Sequence, residues 1–178
     1  YYIYFDVNPK RDTKLQSSAI STIAKLYGEA VQKPADPTAE GYEFDGWYTS
    51  SDYQYAFVFS TMPDYNSMAF AKWVIKQYKI TFVTNTAPST IEETYNYGET
   101  VAFPTQPTKK GFSFEGWYQD QDCTTAYTFG TMPAENISVY AKWEAKEVIM
   151  IEHPAKSTVV DTRQGYVVDS DISGFYVE

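Results

Sequence analysis

A single cysteine and a single histidine stand among these 178 residues, and each scarcity removes a class of explanation. With Cys123 alone, no intramolecular disulfide can staple the fold. With His153 alone, and no nucleophile-bearing turn to meet it, a Ser/His/Asp or Cys/His relay has no constellation to draw on. The same poverty leaves transition-metal ligation without a ligand set. Asp169 and Asp171 stand two apart and Gly174 follows at the right distance, but Ser173 holds the place of the third Asp or Asn of an EF-type calcium loop, so a solvated turn is the expectation. No catalytic residue, cofactor or metal is therefore expected. Basic residues are scarce too: 14 Lys and Arg face 23 Asp and Glu, a formal net charge of −9. That field repels phosphate backbones and anionic membrane surfaces, and no Lys/Arg cluster offsets it locally. Neither nucleic-acid binding nor membrane insertion is expected, since no apolar run approaches the roughly 18 residues of a span. The chain opens on Tyr1 with no initiator methionine and no signal peptide, and reads as a monomeric piece of a longer protein.

Aromatic residues, by contrast, make up 18% of the chain, and they recur in order. Gly41-Tyr42-Glu43-Phe44-Asp45-Gly46-Trp47-Tyr48 returns as Gly111-Phe112-Ser113-Phe114-Glu115-Gly116-Trp117-Tyr118. Ala71-Lys72-Trp73 returns as Ala141-Lys142-Trp143, so the two copies hold all four tryptophans. From Tyr27 and Tyr97 onward the copies align without a gap, and nearly half of the paired positions are identical. This is a duplication. A unit of about 70 residues buries only roughly 60% of its unfolded surface, so it needs a dense core. Each Phe, Tyr or Trp supplies on the order of 150–250 Å² towards it.

The elements read mainly as strands. Residues 1–7 and 78–83 are aromatic and β-branched first strands. Copy one takes 22 positions from Phe5 to Tyr27 and copy two takes 15 from Phe82 to Tyr97, a seven-residue insertion. Leu15, Ala19, Ile20, Ile23, Ala24 and Leu26 fit either a short amphipathic helix or an extended hairpin; Thr22 to Tyr27 is expected as strand because Ile91 to Tyr97 reads as one. Gly28 and Gly98 follow strands, where positive φ is expected. Pro34-x-x-Pro37-Thr38 and Pro104-x-x-Pro107-Thr108 form extended connectors. Strict alternation in 42–48 would put Trp47 on the wet face with Glu43 and Asp45, so a bulge at Gly46 is expected to return Trp47 or Tyr48 to the core. Asp52 and Asp122 are expected to cap turns. Ala69, Ala71 and Trp73, with Val139, Ala141 and Trp143, mark the core face of a last strand, and the stems of Lys72 and Lys142 lie along aromatics on the other. Only Val74 to Gln77 separate the copies, too short for a flexible tether, so a restricted geometry is expected.

The order Tyr-Gly, Pro-x-x-Pro-Thr-x-x-Gly-Tyr/Phe-x-Phe-x-Gly-Trp-Tyr, Thr-Met-Pro, Tyr/Phe-Ala-Lys-Trp resembles the Listeria–Bacteroides repeat, the internalin B-type B repeat, across both copies. The resemblance implies two tandem β-grasp-like modules, mainly β and α+β at most, whose first and last strands are central and adjacent. The expected organisation is residues 1–73 and 78–143 as modules and 147–178 as a short β-rich cap or partial repeat. The resemblance further implies an exported stalk or adhesive segment at the bacterial cell surface or cell wall, non-enzymatic, with a host or bacterial surface protein or a glycan as partner.

Weighed singly, other chemistry fades. Asp45 and Glu115 are carboxylates of separate modules, so they make no glycosidase pair. An isopeptide link from Lys72 or Lys142 would need an apolar pocket with a neighbouring acid. Tyr53, Tyr55, Phe57 and Tyr65 are richer in aromatics than their counterparts Cys123, Thr125, Tyr127 and Glu135. Tyr53, Tyr55 and Tyr65 are the candidate binding residues; stacking on a sugar, as in a carbohydrate-binding module of a secreted enzyme, and packing within the fold are the two readings open to them.

Overall fold

A computed structural model describes residues 1–146; the expected cap at 147–178, with His153, Asp169 and Asp171, lies outside the described residues. Eight strands form two four-stranded sheets. In the first, β1 (Tyr2–Asp6), β2 (Ile23–Ala24), β3 (Tyr42–Tyr48) and β4 (Ser67–Ile75) lie in the order β2-β1-β4-β3. In the second, β5 (Gln77–Val83), β6 (Thr90–Asn96), β7 (Phe112–Tyr118) and β8 (Ile137–Ala145) lie in the order β6-β5-β8-β7. The first and last strand of each sheet are central and parallel, with Ile3 opposite Ser67 and Ile80 opposite Ile137; the flanking pairs are antiparallel. This is the strand order of the β-grasp arrangement, with no helix among the described residues.

Each sheet packs its own core on one face. Ile3, Val31, Trp47, Met62, Ala69 and Ala71 are buried under the first. Ile80, Phe82, Val101, Trp117, Met132, Val139 and Ala141 are buried under the second. The bulge stands where alternation required it: pairing shifts register between Phe44 and Gly46 and again between Phe114 and Gly116. Gly46 at φ +135° and Gly116 at φ +130° absorb the extra residue, and Trp47 and Trp117 are thereby turned inward, 3% and 6% exposed. The second tryptophan of each copy ties the ends of the central strands together. Trp73 Nε1 donates to Val7 O at 2.8 Å, and Trp143 Nε1 to Thr84 O at 2.8 Å.

Two local expectations change. The region 22–27 yields a strand of only two residues, against seven in β6, and forms no helix. The insertion accounts for this, because its chain leaves β1 and folds into a loop of its own instead of a hairpin. Turn capping is shared differently as well. Asp52 accepts from the Ser50 hydroxyl and from the Gln54 amide, but in the second copy Asp120 takes the role, accepting from the Thr124 and Thr125 amides at 2.9 and 2.8 Å. Position 120 matches Ser50, so the carboxylate moved two residues along the same turn.

Candidate functional site

The candidate tyrosines differ in how far they are committed to the fold. Tyr53 sits at φ +61° in the turn after β3, its ring edge-on to Tyr48 at 5.4 Å with Lys10 Nζ 5.0 Å above it. Tyr55 is 74% exposed and bonds only through its backbone, its carbonyl accepting from the Thr49 amide at 2.9 Å. Tyr65, in the turn before β4, is 62% exposed. Phe57 points inward and packs on Phe59 at 4.9 Å. Burial therefore removes Phe57 from any binding face, and Tyr53 is half committed to its neighbours. The lysines expected along aromatics lie there: Lys72 Nζ is 5.3 Å from the Tyr48 ring and Lys142 Nζ 4.9 Å from that of Tyr118. Lys72 also pairs with Asp45 at 2.6 Å, partly in solvent, which differs from the apolar pocket an isopeptide needs. Among the described residues no group of three or more His, Cys, Asp or Glu could hold a metal, and no helix is long and apolar enough to cross a membrane.

Sequence reasoning missed a second aromatic set. Tyr2, Tyr4 and Met68 are 46%, 41% and 44% exposed on the open face of the first sheet, the two rings 5.9 Å apart. Alternation around buried Ile3 gave the signal. Their counterparts in copy two are Lys79, Thr81 and Ser138, where Lys79 pairs with Glu92 at 2.8 Å.

The most elaborate arrangement joins the two sheets, and the insertion builds half of it. Its loop is cross-braced: Arg11 bridges to both Asp6 carboxylate oxygens at 3.2 and 3.0 Å, and Asn8 exchanges bonds with the Asp12 backbone at 2.8 and 2.9 Å. Leu15 is buried at 5% exposure and anchors the loop. Asp12 Oδ2 accepts from the Tyr42 hydroxyl at 2.6 Å, and its Oδ1 accepts from the Lys14 amide at 2.9 Å. Lys14 Nζ then reaches across to Gly98 O at 2.8 Å. Tyr97 stands edge-on to Tyr42, ring centroids 5.9 Å apart, and its ring lies flush on Gly41: a Cβ there would fall 2.1 Å from Cγ and Cδ1 of Tyr97. Lys76 closes the linker in both directions, its amide donating to Gly41 O at 2.8 Å and its carbonyl accepting from the Tyr97 amide at 2.9 Å. An open groove of about 470 Å³ runs beside the contact, lined by Lys14, Glu40, Tyr97, Gly98 and Met132. None of these contacts was expected residue by residue. The one signal in the sequence was the pairing of an insertion with a tyrosine: Tyr42 keeps a hydroxyl in the copy that carries Asp12, and its counterpart Phe112, in the copy without the insertion, lacks one.

The Tyr42 hydroxyl holds the Asp12 carboxyl below its ordinary range, the Lys14 amide adding to the effect; burial, then Asp12, pushes the Tyr42 phenol up. A depressed carboxyl contributes stability that is present above its unfolded value of about 4 and lost as pH falls through the folded one. A raised phenol contributes stability that is present below its unfolded value of about 10 and lost as pH rises through the folded one. The stability difference between the wild type and Asp12→Ala is therefore expected to be constant from about pH 5 to 9 and to shrink below about pH 4. Urea unfolding across that range measures it, and a difference that persists in acid would sink the assignment.

The family model of the Listeria-Bacteroides repeat domain matches residues 1–72 and 78–142, one match on each sheet. The chain belongs to the Listeria-Bacteroides repeat family. Its similar proteins include two from Evansella cellulosilytica, named "Putative Gly-rich membrane protein" (36% identical over 71% of this chain) and "Putative membrane protein" (37% over 71%). Internalin H of Listeria monocytogenes is 30% identical over 93% of the chain. The chain spans 15%, 19% and 29% of these relatives, so it corresponds to a segment of each. Segments with this repeat thus occur in proteins named as membrane proteins and as an internalin.

Proposed function

We propose that this pair of Listeria-Bacteroides repeats is a non-enzymatic spacer of a bacterial cell-surface protein, exposed outside the cell, that holds other segments at a fixed distance and orientation. Residues 1–73 and 78–143 are its two modules. The observation that carries this reading is the joint: a spacer has to transmit orientation, and Tyr97 seated on Gly41, bolted by Lys14 and Lys76, removes the freedom that the single residue between β4 and β5 alone would leave. Relatives with membrane-protein and internalin names support the surface setting. ¹⁵N relaxation tests it. Amides of β1–β4 and β5–β8 are expected to report one shared, anisotropic tumbling time; two independent shorter times would overturn the reading.

Exposed Tyr55 and Tyr65 favour a second reading, in which the first module also touches a surface protein or a glycan. Binding on a glycan array that disappears in the Tyr53→Ala, Tyr55→Ala double variant would establish it.

A further inference from the structure

The end of the second sheet that meets the first is built from the end of β6 and the Thr-Met-Pro turn, bringing Tyr97, Gly98 and Ala134 to the joint. The first sheet has the same end, and among the described residues nothing covers it. Tyr27 and Gly28, the counterparts of Tyr97 and Gly98, have the same geometry: Gly28 is at φ +80° and its amide donates to Met62 O at 2.9 Å, as Gly98 is at φ +69° and donates to Met132 O at 2.8 Å. Yet Tyr27 is 69% exposed, and no described atom lies within 4 Å of a Cβ built on Gly28. Two of the residues that differ put large apolar side chains on this end. Leu26, 74% exposed, replaces Asn96, and Tyr65, 62% exposed, replaces Glu135. Large apolar side chains gathered at one end mark a contact surface more often than chance exposure does.

We propose that the end of the first sheet carrying Leu26, Tyr27, Gly28, Asp64 and Tyr65 docks another repeat of the same build, which presents its glycine corner and its lysine loop as Gly41 and Lys14 are presented here. This rests on the reading of the joint above. The occupied copy specifies the partner's chemistry. Tyr27 needs a buried glycine without a Cβ and an aromatic edge to meet, which Gly41 and Tyr42 supply to Tyr97. The Gly28 carbonyl needs a cation, which Lys14 supplies to Gly98. Charge is matched beyond the occupied joint, because Ala134 lines the groove beside Lys14 and its counterpart here is Asp64. A lysine arriving on the first sheet would meet a carboxylate as well as a carbonyl. Such an interface is head-to-tail, so each added repeat offers the next the surface it has just used.

Reaction with tetranitromethane, with modified tyrosines mapped by mass spectrometry, tests this in the whole chain and in a chain extended by a second copy of residues 1–77 placed before Tyr1. In the 178-residue chain Tyr27 is expected to react rapidly and Tyr97 slowly. In the extended chain Tyr27 is expected to lose its reactivity, and Gly41→Val or Lys14→Ala in the added copy to restore it; the lysine variant, on the surface, keeps the test independent of folding. Tyr27 reacting equally in both chains would overturn the proposal while slow Tyr97 left the spacer reading standing. Rapid reaction of both tyrosines would remove the joint itself. Protection of Tyr27 in the unextended chain that grows with concentration would assign the surface to a second copy in trans and overturn it too.

Discussion

Gly41→Ala is expected to uncouple the two sheets, and Gly111→Ala is not. The pair is a controlled comparison, since the two glycines hold the same place in their copies at φ +73° and φ +79°. An L-residue pays about 1–2 kcal/mol for that backbone, and both variants incur it. They differ in what stands above the α-carbon. At Gly41 the new methyl would lie 2.1 Å from the Tyr97 ring, while at Gly111 no described atom lies within 4 Å. Rigid ring atoms cannot yield by that distance, so Tyr97 must leave. With it go its edge-on pairing with Tyr42, worth about 0.5–1.5 kcal/mol, and the Lys14 bond to Gly98, worth about 0.5–1.5 kcal/mol. The expected cost is about 2–5 kcal/mol for Gly41→Ala against about 1–2 for Gly111→Ala. Urea unfolding followed by tryptophan fluorescence is expected to remain one transition in Gly111→Ala and to separate into two in Gly41→Ala. Equal losses in the two variants would mean that the ring contact contributes nothing.

The largest single loss is expected from Phe82→Ala. Phe82 is fully buried, edge-on to Trp117 at 5.0 Å and stacked on Phe129 at 6.3 Å. Removing a buried phenyl ring costs about 3–5 kcal/mol in transfer and cavity terms together. A whole domain commonly has only about 5–15 kcal/mol, and a core this small belongs near the bottom of that range. Because the joint is intact in this variant, amide exchange protection is expected to fall in β5 to β8 and in β1 to β4 together. Loss confined to β5 to β8 would show that the joint does not couple the two sheets.

Much of this architecture was legible because duplication let the sequence annotate itself. Gly46 and Gly116 forced a bulge, since without one Trp47 and Trp117 would have been left in water. That the first and last strands are central and adjacent followed from the resemblance to the family, and the tryptophan count gave the core; their parallel direction came from the fold. The joint was not legible, for a physical reason. Position-by-position comparison finds what both copies need, and a contact between copies requires different things of each. Gly41 is buried under a ring and Gly111 is exposed, although their sequence context is nearly the same. Tyr27 and Tyr97 were read alike as strand ends, but among the described residues only Tyr97 is seated against another module. Asp12 and Lys14 sit in the insertion that copy two lacks, so no counterpart marked them. The short β2 has the same origin, whereas the turn-capping role passes from Asp52 to Asp120 because an acid stands at 120 where copy one has Ser50. As for the tyrosines, sequence showed that Tyr53, Tyr55 and Tyr65 are peculiar to copy one, but exposure had to come from the fold.

The parallel pairing of β1 with β4 also fixes how each repeat answers a pull. The chain enters at the start of β1 and leaves at the end of β4, at opposite ends of two strands that lie side by side. Tension between those points slides the strands along their length, so the bonds from Ile3–Ser67 to Asp6–Phe70 are loaded together and cannot be peeled one at a time. The Trp73 bond to Val7 crosses the same seam and adds to the load it can carry. Antiparallel β3, off the line of force, is left unstrained until the central pair gives way. Resistance to stretching is thus written into strand direction, whatever the thermodynamic stability of the sheet.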